Sequence, residues 1–238
     1  MIPLEGIPEV EPGTDVAELV TSVVDVADDD VVVLAQKIVS KAEGRIVRLD
    51  EVEPSAHALE LAGDDGDPRR VEVILREAAE VVRVRPPLII AQTKHGFICA
   101  SAGVDTSNAP GPGTLVLLPE DPDASARSIR ERIRELTGRT VGVLITDSFG
   151  RPWRQGTIDI AIGAAGIPVI LDLRGTHDRV GYELRATMIA IADELASAAE
   201  LVMGKSDGIP GAVIRGLHLR GDGRARDLAM PPERDMFR

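Results

Sequence analysis

The sequence predicts a mixed α/β (α+β) fold, because short apolar runs typical of buried strands alternate with longer amphipathic segments typical of helices. The chain has 238 residues, of which 44% are hydrophobic and 28% charged, a balance found in folded globular proteins rather than disordered ones. No internal repeat or low-complexity tract interrupts the alternation. The length alone predicts one to two domains and enough residues for a hydrophobic core.

The first half of the chain predicts two helices and three strands. Thr14 and Asp15 precede apolar residues at helical spacing, so a capped helix is expected there. The β-branched run Val31–Ala35 indicates a buried strand. A second helical pattern extends over residues 68–82 and is opened by a proline. Two further strands are expected at Leu88–Ala91 and Leu115–Leu118.

The second half predicts two helices separated by strands. The clearest helix runs from about Pro122 to Leu136: acidic residues lie at its start, arginines follow, and Gly138 ends it. The run Thr140–Ile145 predicts a strand that delivers the polar segment behind it to the edge of a sheet. An alanine-rich helix is expected over Leu184–Met203. The remaining strands are expected within Gly163–Leu173 and at Ala212–Ile214.

Charge and composition exclude several classes of function. The net charge of −12 repels polyanions, and five aromatic residues provide few platforms for stacking bases, so we expect no nucleic-acid partner. No apolar stretch approaches the roughly 20 residues of a membrane span, and no secretory signal is visible at the start. Cys99 is the single cysteine, which excludes a disulfide framework within the chain. We expect a cytoplasmic protein with no membrane partner.

Two common phosphate-binding motifs fail on spacing. Gly204-Lys205-Ser206 has the form of the end of a P-loop, but Ala199 occupies the position of the required first glycine and lies in an expected helix. The segment Gly163–Gly166 likewise lacks the spacing of a dinucleotide-binding loop. Any phosphate site must therefore lie elsewhere.

Two polar segments follow expected strands in the first half of the chain. Gln36–Gly44 carries two lysines at a strand-to-helix junction, an arrangement suited to phosphate, although a solvated helix start explains the same residues. His95–Asn108 contains Asp105 and Asn108, whose oxygens suit Mg²⁺ or Mn²⁺. An ordinary turn explains these two residues as well.

A third segment, Thr146–Gly156, combines a carboxylate, a hydroxyl and two arginines. Asp147 and Ser148 are suited to a metal ion, and Arg151 and Arg154 to a phosphate clamp. The alternative is an aspartate that caps a turn and arginines that pair at the surface. The only tryptophan of the chain lies between the two arginines and favours a site.

These segments together resemble the coenzyme F420:L-glutamate ligase family, also called F420-0 gamma-glutamyl ligase, in its stand-alone form. The resemblance covers essentially the whole chain, and several motifs of this length in the same order are specific. The motifs that carry it are Gly6–Val10, Gln36–Gly44, His95–Phe97, Ala102–Asp105, Leu117–Ser125, Thr146–Arg154, Val213–Gly216 and Asp235–Arg238.

The resemblance implies a GTP-dependent ligase. Such enzymes phosphorylate the carboxylate of the deazaflavin precursor F420-0, and the amino group of L-glutamate then displaces the phosphate; a further glutamate is added through a gamma linkage. It also implies a divalent metal ion, Mg²⁺ or Mn²⁺, with K⁺ as a further candidate. The implied architecture is a single gamma-glutamyl ligase domain over residues 1–238, with two lobes and in a homodimer. The glycines and prolines of residues 107–114 are typical of either a hinge between two lobes or a surface loop.

Residue by residue, the resemblance implies a metal site and a nucleotide site but identifies no catalytic residue. The implied ligands of the divalent metal are Asp105, Asp147 and Ser148. The implied GTP-binding residues are Ile7, Pro8, Glu9, Val10, Gln36, Lys41, Asn108, Met203, Gly204 and Lys205. Our own hypothesis is that Arg151 and Arg154 hold the phosphate or carboxylate of the acceptor.

Several departures from the family pattern, two of them at implied metal positions, and two alternatives accompany the resemblance. Ser148 stands where threonine is usual and keeps the hydroxyl. Lys205 stands where some members have a metal-binding side chain; because an ammonium group cannot ligate a cation, one metal site is either altered or replaced by a direct contact of Lys205 with phosphate. The alternatives are a related GTP-dependent amide ligase or kinase that acts on another carboxylate, and a non-catalytic dimer that binds GTP and metal.

Overall fold

The computed structural model describes residues 1–64 and 66–237, so Arg238, the last residue of the C-terminal motif, lies outside the described residues. The helices are α1 (Val16–Val23), α2 (Gln36–Ala42), α3 (Ala56–Ala62), α4 (Pro68–Glu77), α5 (Pro122–Thr137) and α6 (Ile191–Met203). The strands are β1 (Ile2–Pro3), β2 (Val31–Ala35), β3 (Ile46–Arg48), β4 (Ala78–Arg85), β5 (Leu88–Thr93), β6 (Ile98–Ala100), β7 (Thr114–Val116), β8 (Gly142–Arg151), β9 (Arg154–Ala165), β10 (Leu171–Asp172), β11 (Met188–Ile189) and β12 (Gly211–Ile214). Short 3₁₀ turns lie at 49–51, 101–103, 225–228 and 232–234.

A five-stranded sheet forms the centre of the molecule, with strand order β1-β12-β2-β8-β9. β2 and β8 run parallel, whereas the other neighbours in this sheet are antiparallel. The last residue of β2, Ala35, pairs with Thr146 of β8. The segments that follow these two residues therefore start side by side.

Helices cover both faces of this sheet, which explains why β2 is an uninterrupted apolar run. Val32 and Leu34 point to the face covered by α1, α2 and α5. Val31 and Val33 point to the opposite face, where α6 packs. Because side chains alternate along a strand, both sets are removed from water, and all four are 0% exposed.

Smaller sheets form a third core beside the central one. The pair β3–β7 and the three-stranded sheet β4-β5-β6 pack with α3 and α4. Ile89 and Leu115 are among their fully buried side chains. The pair β10–β11 stands apart as a further two-stranded sheet. The fold is thus mixed α/β with several sheets, as the sequence predicts.

The capped helices agree with their sequence signals. The Asp15 carboxylate accepts a hydrogen bond from the Glu18 backbone N–H at 3.1 Å at the start of α1. Asp121 accepts one from the Ala124 N–H at 3.0 Å at the start of α5. Gly138 ends α5 in the left-handed conformation, with φ 72°. None of the helices within the described residues is long and apolar enough to cross a bilayer.

Two predicted helices are shorter in the structure. The helix expected over 68–82 ends at Glu77, because the chain becomes extended at Ala78 and continues as β4 against β5. The helix expected over Leu184–Met203 begins only at Ile191, since Met188–Ile189 pairs with β10. In both cases strand pairing with a distant segment outweighs a local helical pattern.

Several predicted strands have different bounds; the one expected at Leu88–Ala91, for example, extends to Thr93. The strand expected at Thr140–Ile145 begins at Gly142 and continues to Arg151, because β9 pairs with it along this whole length. The polar segment Thr146–Arg151 is therefore itself part of β8 rather than a loop after it. The strand expected within Gly163–Leu173 is the end of β9 followed by β10, and that expected at Leu115–Leu118 is Thr114–Val116.

Candidate functional site

A cavity of about 300 Å³ opens where β2 and β8 end their pairing. Its wall is built from five parts of the chain: residues 7–10, the junction of β2 with α2, Asn108, the β8–β9 hairpin, and the segment that follows α6. The ten residues that the resemblance assigns to the nucleotide all lie on this wall. Segments separated by up to 200 positions in the sequence are thus brought to one place by the central sheet.

The β8–β9 hairpin contributes a set of oxygen atoms to the cavity. Asp147 and Ser148 both line it, as the resemblance implies for metal ligands. Asp159, directly across from Ser148 in the register of the hairpin, lines it as well. The Asp159 carboxylate accepts hydrogen bonds from Ser148 Oγ at 2.7 Å and from Thr146 Oγ1 at 2.9 Å. These contacts give the hairpin a rigid, oxygen-rich surface.

Asp105, the third predicted metal ligand, does not line the cavity, but it forms an ion pair with a lysine that does. Lys37, at the start of α2, lines the cavity, and its Nζ lies 2.7 Å from Asp105 Oδ2. Burial opposes ionisation of Asp105, but the hydrogen bonds from Lys37 and from Ser107 outweigh it and hold the pKa of Asp105 at about 2. The Asp105 carboxylate is therefore charged at neutral pH and paired with an ammonium group.

The pKa of Asp147 is shifted in the opposite direction to that of Asp105. Burial raises the pKa of Asp147 to about 6. The positive charge of Lys37 and a hydrogen bond from the Ser148 backbone lower it, whereas the negative charges of Asp105 and Asp159 add to the rise. This part of the site holds more negative charge than the neighbouring lysine compensates.

The side of the cavity formed by residues 7–10 and α2 has one ion pair and one amide nitrogen without a partner among the described residues. Lys41, only 6% exposed, is hydrogen-bonded to the Glu9 carboxylate. Gln36 is 1% exposed, and its Oε1 accepts a hydrogen bond from Ser40 Oγ at 2.7 Å. The Gln36 Nε2 has no hydrogen-bond partner among the described residues. A buried amide group in a cavity wall is a donor for a bound ligand.

The segment after α6 completes the wall. Gly204 ends α6 with φ 58°, and a Cβ at this position would lie 2.5 Å from Asp207 Oδ2, which explains the glycine. The next residue, Lys205, has its Nζ 3.4 Å from Ser148 Oγ. The ammonium group of Lys205 therefore faces the hydroxyl that the resemblance assigns to metal binding.

Arg151 and Arg154, the predicted acceptor-binding residues, do not line this cavity. The two residues are backbone partners in the register at the end of the β8–β9 hairpin. Arg151 lies three residues after Ser148, which places it about 10 Å further along β8. Arg151 is half-buried, and its Nη1 has no hydrogen-bond partner among the described residues, whereas Arg154 is exposed. Trp153 between them is 82% exposed and contacts Phe237.

Sequence reasoning missed several residues of the wall, above all Asp159. No motif contains Asp159, and only the strand register reveals that it faces Ser148. Across residues 1–64 and 66–237, no three His, Cys, Asp or Glu side chains are already arranged around one point for a metal ion. Other wall residues outside the predicted set are Ala35, Lys37, Ile38, Thr146 and Glu200.

Comparisons with known proteins agree on one family. Residues 6–216 match the family model described as F420-0:Gamma-glutamyl ligase. Coenzyme F420:L-glutamate ligase of Methanopyrus kandleri is 52% identical over 244 residues, which cover 100% of this chain and 96% of that protein. Proteins of the same name from Methanothermobacter thermautotrophicus and Haloarcula marismortui are each 46% identical, covering 100% and 99% of this chain and 98% and 94% of their own lengths. This agreement over the full length confirms the resemblance drawn from the motifs: the chain belongs to the F420-0:gamma-glutamyl ligase family.

Proposed function

We propose that this chain joins L-glutamate to F420-0 in coenzyme F420 biosynthesis and that GTP provides the energy for the new amide bond. The observation that carries the proposal is the cavity between β2 and β8, which combines the family's nucleotide residues with buried carboxylates. Family membership over residues 6–216 supports the ligase chemistry. Phosphoryl transfer requires mainly positioning and compensation of charge, and this cavity supplies groups for both.

The reaction has two steps with balanced atoms. An oxygen of the F420-0 carboxylate attacks the γ-phosphorus of GTP, GDP leaves, and an acyl phosphate forms. The amino nitrogen of L-glutamate then attacks the acyl carbon, loses a proton, and expels phosphate. A further glutamate is added by the same two steps, through its gamma linkage.

Two lysines and one amide of the cavity wall are suited to binding the triphosphate of GTP. Lys41, next to the exposed carboxylate of Glu9, is suited to a phosphate group as a compact positive charge. Lys205 lies at the other side of the cavity and can contact a second phosphate. The unpaired amide of Gln36 donates to an acceptor atom of the nucleotide. These groups bind and orient the triphosphate.

The donors near β8 fit a divalent metal ion. Asp105, Asp147 and Ser148 would hold it through carboxylate and hydroxyl oxygens, the donors that Mg²⁺ and Mn²⁺ take. Burial is the main cause of the raised pKa of Asp147, and the negative charges of Asp105 and Asp159 add to it. A cation bound beside these carboxylates would compensate that charge. When bound, the ion neutralises charge on the transferred phosphoryl group.

The test is mass spectrometry of F420-0 after incubation with the protein, GTP, L-glutamate and Mg²⁺ or Mn²⁺. We expect a mass increase of one or more glutamyl units that disappears when GTP is omitted. Asp147→Asn should abolish the increase, and Glu5→Gln, an exchange at an exposed carboxylate, should retain it. GTP turnover with other carboxylates but not F420-0 would favour a related ligase or kinase. GTP binding without turnover would favour a non-catalytic protein.

We further propose a two-lobed homodimer as the working form, as in the family resemblance. The central sheet with its two helical layers would be one lobe, and the sheets β3–β7 and β4-β5-β6 would belong to the other. Size-exclusion chromatography with light scattering tests the dimer directly. A mass equal to one chain of 25.3 kDa at all concentrations would contradict it.

A further inference from the structure

Asp159 is a buried carboxylate that no motif identified. It is 6% exposed, lies on β9 in the wall of the cavity, and has no ion-pair partner in the part of the chain that the structure describes. A buried negative charge without a cation is costly unless hydrogen bonds or a bound ion compensate for it. The position of Asp159 therefore calls for a functional explanation.

Both carboxylate oxygens of Asp159 are used by hydroxyl groups. Oδ1 lies 2.7 Å from Ser148 Oγ, and Oδ2 lies 2.9 Å from Thr146 Oγ1. An ionised carboxylate has no hydrogen to give, so both hydroxyls must be the donors. Charge-assisted hydrogen bonds of this kind are short and strong, and these two fix the rotation of each hydroxyl.

The backbone holds Asp159 in this position from the other side. The Asp159 carbonyl oxygen accepts a hydrogen bond from Ser197 Oγ of α6 at 2.7 Å. Asp159 also pairs with Ser148 in the register of the β8–β9 hairpin. The backbone of Asp159 is therefore held by the helix and by the strand, and its carboxylate is held by the two hydroxyl groups.

A hydroxyl that has given away its only hydrogen can act solely as an acceptor. Since Ser148 donates to Asp159, the lone pairs of Ser148 Oγ point away from this carboxylate, towards the cavity. A positive group is already on that side, because Lys205 Nζ lies 3.4 Å from Ser148 Oγ. Asp159 thus sets the polarity of the Ser148 hydroxyl and makes it an electron-pair donor for a cation.

We propose that Asp159 is a positioning residue of the metal site, which acts through Ser148 by holding its hydroxyl as an acceptor towards the divalent cation. The inference rests on the proposed function, because the cation is the one assigned to that reaction. It adds a residue on β9 to a site otherwise drawn from β8 and from Asp105. Partners that orient a metal ligand commonly change metal affinity by about 10–100-fold when they are replaced.

The experiment measures binding of Mn²⁺ alone to the full chain, from the electron paramagnetic resonance signal of the free ion. Asp159→Asn keeps the shape of the side chain but introduces a donor, so one of the two hydroxyls must turn round. We expect Mn²⁺ affinity to fall about 10–100-fold in Asp159→Asn and in Ser148→Ala. The double variant should bind no more weakly than Ser148→Ala, because the effect passes through that hydroxyl.

Asp193→Asn is the matched control. Asp193 lies on α6, accepts a hydrogen bond from the Ala161 backbone N–H at 3.0 Å, and does not line the cavity. The same exchange of charge, on the helix that packs against β9, should leave Mn²⁺ affinity within about twofold of the unmodified chain. Thermal melting of each variant separates lost binding from lost folding. If Asp159→Asn does not fold, unchanged Mn²⁺ affinity in Ser148→Ala still overturns the inference, because the proposed effect passes through that hydroxyl.

Several outcomes overturn the inference. Unchanged affinity in Asp159→Asn or in Ser148→Ala would do so, as would losses that add in the double variant, since these would mean that Asp159 ligates the ion itself. Absence of Mn²⁺ binding by the unmodified chain would overturn it as well. The glutamylation assay distinguishes this inference from the proposed function. If the unmodified chain extends F420-0 but Asp159→Asn binds Mn²⁺ as tightly, only this inference is refuted. If the losses of Mn²⁺ affinity in Asp159→Asn and Ser148→Ala do not add but the chain does not extend F420-0, only the proposed function is refuted.

Discussion

Replacing Asp147 by asparagine should stabilise the folded chain at neutral pH. Burial raises the pKa of this carboxyl to about 6, against an ordinary value of 3.8 in the unfolded chain. A difference of this size corresponds to about 3 kcal/mol of folding free energy. Asparagine keeps the size and the acceptor oxygen but has no proton to lose, so the variant avoids this cost.

The sign and the pH range of the effect follow from the raised pKa. Below pH 3.8 the Asp147 carboxyl is protonated in both states and has no effect on stability. Between pH 3.8 and about 6 only the unfolded chain loses the proton, so the free energy of unfolding falls as the pH rises. Above that range the full loss persists. The advantage of Asp147→Asn should therefore be about 3 kcal/mol at pH 8 and about half of that at pH 5.

Urea unfolding in the presence of EDTA measures this difference without interference from divalent ions. Glu5→Gln serves as the control, since it removes a carboxylate from an exposed position. Addition of Mn²⁺ at pH 8 should stabilise the unmodified chain and narrow the gap, because a ligand that binds only the folded state adds to its stability. A variant that is no more stable than the unmodified chain at pH 8, or an advantage that does not change with pH, would refute the electrostatic account of Asp147.

Three further substitutions test other parts of the structure. Lys41→Met should weaken binding of a fluorescent GTP analogue about 10–100-fold. The fold should be retained, because Glu9, the ion-pair partner of Lys41, is largely exposed. Equal affinity would remove Lys41 from the nucleotide site. Gly163→Ala should destabilise the chain by about 1–3 kcal/mol in urea unfolding, since the new Cβ would lie 2.3 Å from the Pro122 carbonyl oxygen; an unchanged midpoint would contradict this packing. Asp121→Ala should cost about 1 kcal/mol by loss of the cap of α5, seen as a lower melting temperature, and a neutral result would mean that the Ala124 N–H finds another acceptor.

Local signals predicted the elements whose boundaries are written in the sequence. Asp15 and Asp121 cap α1 and α5, and Gly138 ends α5, each through a backbone contact within a few residues. Strand β2 could also be predicted from its local sequence, because a strand that is buried on both faces of a sheet has an uninterrupted apolar run. These elements form the frame on which the cavity is built.

Elements that depend on a distant partner were the ones that pattern alone misjudged. Residues 78–82 continue a helical pattern but form strand β4, because β5 offers backbone partners. Thr146–Arg151 has the composition of a loop and yet extends β8, because β9 pairs with it. Register information of this kind is non-local, so it is not contained in any window of the sequence.

The same distinction explains the site. Asp147 and Ser148 are part of a motif and were found by resemblance, whereas Asp159 joins them only through the pairing of β8 with β9. Lys37 lies within a recognised motif, but its contact with Asp105 at 2.7 Å depends on how two segments meet. Motifs therefore predicted the candidate ligand residues, and the pairing of strands in the fold was needed to find Asp159 beside them.

The charge of the cavity wall bears on how a triphosphate could bind there. Glu9, Asp147, Asp159 and Glu200 line the cavity together with Lys37, Lys41 and Lys205, so the described wall holds four carboxyl groups against three ammonium groups. Two of these lysines are already paired with Glu9 and Asp105. Such a wall has no surplus of positive charge for a polyanion, and the chain as a whole carries −12. We therefore expect GTP to bind tightly only together with divalent cations, and EDTA should weaken its binding to the unmodified chain far more than an equal change in ionic strength does.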